Sequence, residues 1–422
     1  GVLCSCGSQE DDFCSSLGVL GLSREMWTSS WEREIVMPTP LPVMAGKIIR
    51  HVAATDSYSL AATSDGEVYM WGWRTEHAQQ LFGRPGPGEP ETQFGPALVE
   101  GLSGHRVIEV ATGPSHHVAL TNAGAVITWS VELILEGEPA PPAENDGDNE
   151  VPESGLGYRR PRSGFAPPTV VEALAHHHIV AIAAGMRCTF AVTDDGRVFS
   201  FGSHLGGCLG RDSDPQSCHV PRPIETLQKV SSVAAGIYHC LALTDEGQVF
   251  SWGGVKTYSL GLGQGVTNAK TPQRMPTFAD ARVNRIACGS CHSCAVTSTG
   301  LLYTWGEGGM GQLGHGDQHI QWQPKAVEAL RGVRVLAAAG GRTHTVAVVE
   351  ESHGDDRGVL YGFGRADAFG YPFSGGFGPY ADELLFRERE HEAGITLDFF
   401  GGIGCYISTV PRSIPDFRLR LL

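Results

Sequence analysis

The 422-residue sequence has no Asn-x-Ser/Thr glycosylation acceptor and no secretory leader at its start. It also lacks any apolar run near the roughly 18 residues of a helical membrane span, which excludes such a span. Charge is scarce at 18% of residues, the formal net charge is −15, and no long basic run occurs. Nucleic acid is held through clustered Lys and Arg on phosphates, so this balance argues against general DNA or RNA binding. The densest basic cluster, Arg159, Arg160 and Arg162, follows an acidic stretch and reads as a solvated loop. Catalytic signatures are missing too: there is no G-x-S-x-G elbow, no Walker loop and no H-E-x-x-H. The reading is therefore not an enzyme, with no cofactor and no metal. The eleven cysteines fit reduced thiols in an intracellular compartment: cytoplasm, nucleus or an organelle such as the mitochondrion. The chain begins at Gly1 rather than Met, which a cleaved organellar targeting peptide or an incomplete sequence would each explain.

What the chain has in quantity is glycine (56) and proline (25), the composition of a turn-dense β protein. It also repeats. Val233 to Gly253 reads VAAGIYHCLALTDEGQVFSWG, and Ile182 to Gly202 and Ile286 to Gly306 match it in length and register. Val110 to Ser130 is a fourth copy, Val52 to Gly72 a more degenerate fifth, and Val335 to Gly364 a sixth with extra residues, Glu350 to Arg357, in one turn. In each copy an apolar strand ends at a glycine (Gly113, Gly185, Gly236, Gly289). A second strand leads to a hairpin such as Asp195-Gly196, where glycine accepts positive φ without steric cost. A third strand of the Val-Phe-Ser-Trp type follows. A Gly-rich loop then precedes a proline-led segment, such as Val220-Pro-Arg-Pro-Ile224, suited to an outer strand.

Four strands per unit, with hairpin glycines (Gly66, Gly124, Gly196, Gly247, Gly300, Gly358) spaced 51 to 72 residues apart, indicate propeller blades. Gly1 to Gly7 reads as a further third strand, and Ile395 to Val410 as a first and second strand. Together they would form a composite blade that closes the ring and removes its free edges. The expectation is an all-β, seven-bladed β-propeller forming one domain over residues 1–422. Irregular insertions are expected at about 23–42, 131–168 and 370–392.

The pattern VAAG-x-x-H-x-x-ALT-x-x-G-x-V-[YF]-x-WG resembles the repeat of the regulator of chromosome condensation family, in copies spread from Gly1 to Val410. The resemblance implies a macromolecule-binding propeller. The family includes an exchange factor for a Ran-like small GTPase, a plant UV-B photoreceptor, ubiquitin-ligase modules and scaffolding subunits, and fold alone does not choose among them.

Several motifs carry a sharper and a blander meaning. Gly306 to Gly311 fits G-x-G-x-x-G but precedes no helical pattern and recurs as an ordinary blade loop. Cys288, Cys291 and Cys294 have zinc-like spacing, yet flank a repeat glycine and read as small apolar residues. His116, His239, His292 and His344 each lie three residues after the turn glycine, where Cys188 and Tyr58 substitute, so the position reads as architectural. His176 to His178 reads as exposed. Trp71, Trp129, Trp252 and Trp305 read as core aromatics. Trp73, in Gly-Trp-Arg, resembles a photoreceptor element but occurs once.

Specificity is expected in loops. Glu132 to Glu153 holds eight acidic and no basic residues, including Glu144, Asp146 and Asp148, and reads as flexible. Its place between blades and its lack of a ribbon pattern depart from the wedge that the exchange factor uses. Candidate partner-binding residues are these three acids with Arg159 and Arg160, then Trp27, Trp31 and Trp73, and the aromatics Tyr371, Phe373, Phe377 and Tyr380. The aromatics would equally serve to cover the end of the propeller. The leading reading is a non-catalytic protein–protein interaction module, an accessory or scaffolding subunit of a larger assembly. Alternatives are a small-GTPase exchange factor and an RNA-binding subunit.

Overall fold

A computed structural model describes residues 4–8, 34–55, 58–72, 96–131, 155–158, 165–212, 217–254, 258–350, 358–364 and 417–421. Among these residues there is no α-helix; short 3-10 turns and strands make up the regular structure, and no helix is long and apolar enough to cross a membrane. A first pair, β1 (Cys4–Ser8) and β2 (Glu34–Pro40), forms a two-stranded antiparallel sheet. Six four-stranded blades follow. Blade 1 is β3 (Ile49–Ala54), β4 (Tyr58–Thr63), β5 (Val68–Gly72) and β6 (Ala97–Leu98). Blade 2 is β7 (Val107–Thr112), β8 (His117–Thr121), β9 (Val126–Val131) and β10 (Phe165–Val170). Blade 3 is β11 (Ile179–Ala184), β12 (Cys188–Thr193), β13 (Val198–Ser203) and β14 (Ser217–Pro223). Blade 4 is β15 (Val230–Ala235), β16 (His239–Thr244), β17 (Val249–Gly253) and β18 (Ala269–Arg274). Blade 5 is β19 (Val283–Cys288), β20 (His292–Thr297), β21 (Leu302–Gly306) and β22 (Gln321–Ala326). Blade 6 is β23 (Val335–Gly340), β24 (His344–Glu350), β25 (Gly358–Gly364) and β26 (Phe417–Leu421).

Within blades 1 to 5 every strand pairs antiparallel with the next, and the first strand of each blade lies against the first strand of its neighbour. Past their opening residue the second strands of these blades carry apolar or small residues, as in Leu241-Ala242-Leu243, and they are buried throughout. That is the pattern of a strand covered on both faces, here by the blades on either side. At the 2→3 hairpins of blades 1 to 5 a threonine hydroxyl accepts the backbone N–H four residues on: Glu67 to Thr63, Ala125 to Thr121, Arg197 to Thr193, Gln248 to Thr244 and Leu301 to Thr297, at 3.0–3.2 Å. The hairpin glycines have φ of 78–91°. At Gly196 and Gly66 an added Cβ would also sit 2.7 Å from a backbone atom of the next blade.

The expected seven blades are corrected to six among the described residues. Two differences account for this. The segment assigned to the inner half of a composite blade, Ile395 to Val410, lies outside the described residues. The extreme C-terminus instead forms β26, which completes blade 6 by pairing parallel with β25. Two insertion boundaries also change. Glu34–Pro40, inside the expected 23–42 insertion, is strand β2, and its prolines fit a strand paired with β1 alone in its sheet. Within 131–168, Val131 ends β9 and Phe165–Val170 form β10 across a register shift, with Pro167 and Pro168 between its paired positions. Gly155 to Tyr158, in the same segment, packs on blade 2. Thr128 Oγ1 donates to the Leu156 carbonyl at 2.5 Å, and the Tyr158 hydroxyl donates to the Thr128 carbonyl at 3.2 Å.

Candidate functional site

Antiparallel order fixes which connections share a rim. In blades 1 to 5 the 1→2 turns and 3→4 connections emerge at one end; the 2→3 hairpins and the 4→1 connections emerge at the other. The 1→2 turns of blades 2 to 6 are short and follow G-x-x-H, with Cys188 at the histidine position in blade 3. The two variable positions are Pro114-Ser115, Met186-Arg187, Ile237-Tyr238, Ser290-Cys291 and Arg342-Thr343. Met186, Arg187, Ile237, Tyr238 and Cys291 are half-buried, and Arg342 is exposed. Leu205 and Met310, in 3→4 connections of the same rim, are 54% and 50% exposed. Arg, Tyr and Met beside exposed aliphatics are the residue types that concentrate binding energy in protein interfaces.

Beneath this rim the blades are stapled together. The His116 ring donates from Nε2 to Thr189 Oγ1 of the next blade at 2.7 Å, and Thr189 donates onward to the Gly155 carbonyl at 2.7 Å. The same relay runs from His239 to Ser293 (2.9 Å) to the Ser259 carbonyl (3.0 Å), and from His292 to Thr345 (2.8 Å) to the Gln312 carbonyl (2.7 Å). Each hydroxyl has one proton and gives it to a carbonyl, so each imidazole must be the Nε2–H donor. Burial lowers the pKa of His116 and His292 to about 3 and of His239 and His344 to about 4, which keeps these rings neutral. Between blades 1 and 2 the pair is Tyr58 edge-on to His117, ring centroids 5.3 Å apart. The turn glycines serve this hub through close approach. A Cβ at Gly289 would lie 2.5 Å from the Gly341 carbonyl, and one at Gly236 would lie 2.6 Å from the Gly289 carbonyl.

Between blades 3 and 4 the relay is rebuilt in sulfur. Cys188 stands where the histidine stands elsewhere, and Cys240 stands at the Ser/Thr position. The loop carbonyl that completes the relay is that of Cys208, accepting from Cys240 Sγ at 3.7 Å and from Trp252 Nε1 at 2.8 Å. All three side chains are buried free thiols, and their Sγ atoms lie within 4.8 Å of one another. Thiol hydrogen bonds from Cys208 and Cys240 hold the Cys188 thiol well below the usual range. The contact with Cys188 pushes Cys208 up, and burial pushes Cys240 up. It is the one His/Cys/Asp/Glu group of ligand geometry among the described residues, and the C-x-x-C-x-x-C run is not such a group. Cys288 ends β19, Cys291 sits in the turn and Cys294 lies buried in β20.

Gly306 to Gly311 leads into turns and β22, with no helix to cradle a phosphate. Trp129, Trp252 and Trp305 are fully buried and Trp71 nearly so; Trp305 Nε1 donates to the Ser259 carbonyl at 2.8 Å. Of the His176–His178 run, His176 and His178 are exposed, while the half-buried His177 ring packs on Phe199 at 4.6 Å. A cleft of about 280 Å³ at the hairpin rim is bordered by Asp195, Arg197, Glu225 and Lys229, and contains no nucleophile–base pair.

The twelve candidate binding residues (Trp27, Trp31, Trp73, Glu144, Asp146, Asp148, Arg159, Arg160, Tyr371, Phe373, Phe377 and Tyr380) all lie outside the described residues. The strands bracketing them are described. Trp27 and Trp31 fall between β1 and β2, Trp73 between β5 and β6, the acids and arginines between β9 and β10, and the last four between β25 and β26. The middle two intervals are 3→4 connections leaving the G-x-x-H rim; the others join the pair β1–β2 and the third and fourth strands of blade 6. Sequence reading missed Met186, Arg187, Ile237 and Tyr238. The signal was available, because they occupy the variable x-x positions of an otherwise regular repeat.

Comparison with known proteins agrees with this architecture. A family profile described as RCC1-like domain (WD40_RLD) matches residues 1–347. The mouse E3 ubiquitin-protein ligase HERC2 is 30% identical over 353 residues, 82% of this chain and 6% of that protein. The Arabidopsis thaliana Ultraviolet-B receptor UVR8 is 31% identical over 74% of this chain and 64% of its own length. The mitochondrial RCC1 domain-containing protein RUG3 of the same plant is 30% identical over 73% and 63%. This chain thus spans less than two thirds of these relatives. Among solved structures, human WBSCR16 aligns with a TM-score of 0.60 at 24% identity, covering 76% of this chain and 77% of that one. Saccharomyces cerevisiae Prp20p, described with its binding to Gsp1p and histones, aligns with a TM-score of 0.60 at 22% identity, covering 80% and 77%. A six-blade array in register, a relay repeated between blades and a family match over most of the length converge: this chain belongs to the RCC1-like domain family.

Proposed function

We propose that this protein is a non-catalytic protein-interaction platform, an accessory or scaffolding subunit that receives its partner on the G-x-x-H rim. The observation that carries this reading is topological. The positions that vary inside the repeat and the long 3→4 connections share one end of the blades, above a hub whose buried relays hold the frame rigid. A rigid frame presenting variable side chains limits the ordering entropy lost on binding. We also read residues 1–422 as one propeller domain. In support, first-strand contacts run in series from β3 to β23 across all six blades.

Affinity capture from cells with the full chain, followed by mass spectrometry, tests the platform. Arg187→Glu with Tyr238→Ala should lose partners that Asp280→Lys, on the opposite rim, retains. Equal recovery by both variants would refute the placement. A second reading, exchange factor for a small GTPase, is favoured by the fold shared with Prp20p, whose described partners include Gsp1p. Unchanged GDP release from a GTPase panel with excess protein would eliminate it. A third reading, RNA binding, has only the family's breadth behind it and runs against the net charge of −15. Mitochondrial residence is an option that the likeness to RUG3 supports, and fractionation decides it.

A further inference from the structure

We infer that Cys188, Cys208 and Cys240 form a three-thiolate site for a soft, thiophilic d10 metal ion, with Cu(I) the ion that fits the donor set.

Three independent observations converge. The first is substitution in register. At three other blade interfaces a histidine bonds a serine or threonine hydroxyl, and here both partners are cysteine. A single cysteine replacing a packing residue needs no explanation. Here both halves of a polar relay are exchanged for sulfur, and a third sulfur comes from the loop residue whose carbonyl ends that relay. The second is geometry. Three planar metal–sulfur bonds of about 2.3 Å require sulfurs about 4 Å apart. The three Sγ atoms already lie within 4.8 Å of one another, so a rotamer adjustment of tenths of an ångström closes the ring. The third is access. A cleft of about 200 Å³, lined by Met186, Arg187, Leu205, Ile237 and Tyr238, includes Cys188 and Cys208 in its wall and opens at the G-x-x-H rim. It offers an entry path, and Arg187 brings positive charge to a site that would carry excess negative charge.

The donor set selects the metal. No fourth His, Cys, Asp or Glu ligand joins the cluster among the described residues. Structural zinc sites are four-coordinate, whereas thiolates select Cu(I) on softness, and three sulfurs suffice for it. The environment is otherwise apolar: Phe190, Leu209 and Trp252 belong to the same buried cluster, which shields a bound ion from water and oxidant. The site bridges blades 3 and 4, so the ion would cross-link two blades directly under the proposed binding rim.

The test uses the full chain, reduced and metal-stripped under anaerobic conditions, competing for Cu(I) against bicinchoninate. One equivalent should be withdrawn from the chelator, and copper-edge X-ray absorption should show a sulfur-only shell of three. The informative variant is Cys188→His with Cys240→Ser, which installs the relay used between blades 4 and 5. It should fold with an unchanged circular dichroism spectrum and bind Cu(I) more than about 100-fold more weakly. Cys291→Ser, outside the cluster, should bind as the unaltered chain does. The inference fails if the unaltered chain withdraws no copper, or if the double variant binds it equally well. Retention of Zn(II) against Cu(I) with a four-coordinate shell would overturn the choice of ion.

Discussion

Thr345→Val isolates one inter-blade relay. Thr345 is fully buried on β24; its hydroxyl accepts from His292 Nε2 at 2.8 Å and donates to the Gln312 carbonyl at 2.7 Å. Valine has nearly the same shape, so no cavity forms, but two buried polar groups lose their partner. Leaving a buried donor or acceptor unsatisfied costs about 1–3 kcal/mol each. The added methyl returns up to about 0.8 kcal/mol. The net expectation is a loss of about 1–5 kcal/mol, read as a lower urea midpoint with an unchanged slope. Thr169→Val, at an exposed hydroxyl on β10, should stay within about 0.5 kcal/mol. If the relay is the cause, His292→Phe and Thr345→Val should be strongly non-additive, because the first removes the donor that the second orphans. A Thr345→Val loss equal to the Thr169→Val control, or strict additivity with His292→Phe, would refute the claim that the relay holds blades 5 and 6 together.

Acid should unfold the protein steeply. The pKa values of His116, His117 and His292 are lowered to about 3 and those of His51, His239 and His344 to about 4, in each case chiefly by burial. The unfolded chain takes up protons near pH 6.5 while the folded chain refuses them. The histidine contribution to stability is therefore full above about pH 6.5 and falls as the pH drops towards the folded values. Circular dichroism against pH should show a midpoint between these limits with uptake of several protons; a transition involving a single proton would contradict it. Gly289→Ala should cost about 1–3 kcal/mol, because its Cβ would press on the His292 ring and on the Gly341 carbonyl, the latter at 2.5 Å; a thermal scan with no shift would show that the hub can yield. Gly265→Ala has open space around it, but φ is +90°, so its cost should be one of backbone strain alone, of order 1 kcal/mol. A loss at Gly265 larger than at Gly289 would reverse that ranking.

The repeat made most of the fold legible. Thr-Asp-x-Gly announced the hairpins, Val-Phe-Ser-Trp the third strands, and the proline-led segments the outer strands, each because it encodes a local backbone requirement. The candidate site was less legible. Met186, Arg187, Ile237 and Tyr238 lie inside a strand-turn-strand unit that reads as pure framework, and nothing local marks two positions of a turn as surface. The cysteine cluster was hidden for a different reason. The C-x-x-C-x-x-C run draws attention because its members are close in sequence, yet the strand, turn and next strand keep its thiols from forming a ligand group. Cys188, Cys208 and Cys240 are separated by 20 and 32 residues and meet only because two blades pack side by side.

The sequence by itself determined the β class, the four-strand unit and the burial of its tryptophans and second strands, because hairpin chemistry and side-chain alternation act over a few residues. Tertiary structure decided the rest. It set the count of complete blades and the parallel seating of β26 on β25, because the blade edge accepts whichever strand reaches it. It decided that the repeat glycines answer to a neighbouring blade's carbonyl as well as to their own turn. It decided which end of the blades gathers the variable turns and long connections, and that three distant thiols share one buried space. Those are properties of contact between units, and they exist only once the blades stand against each other.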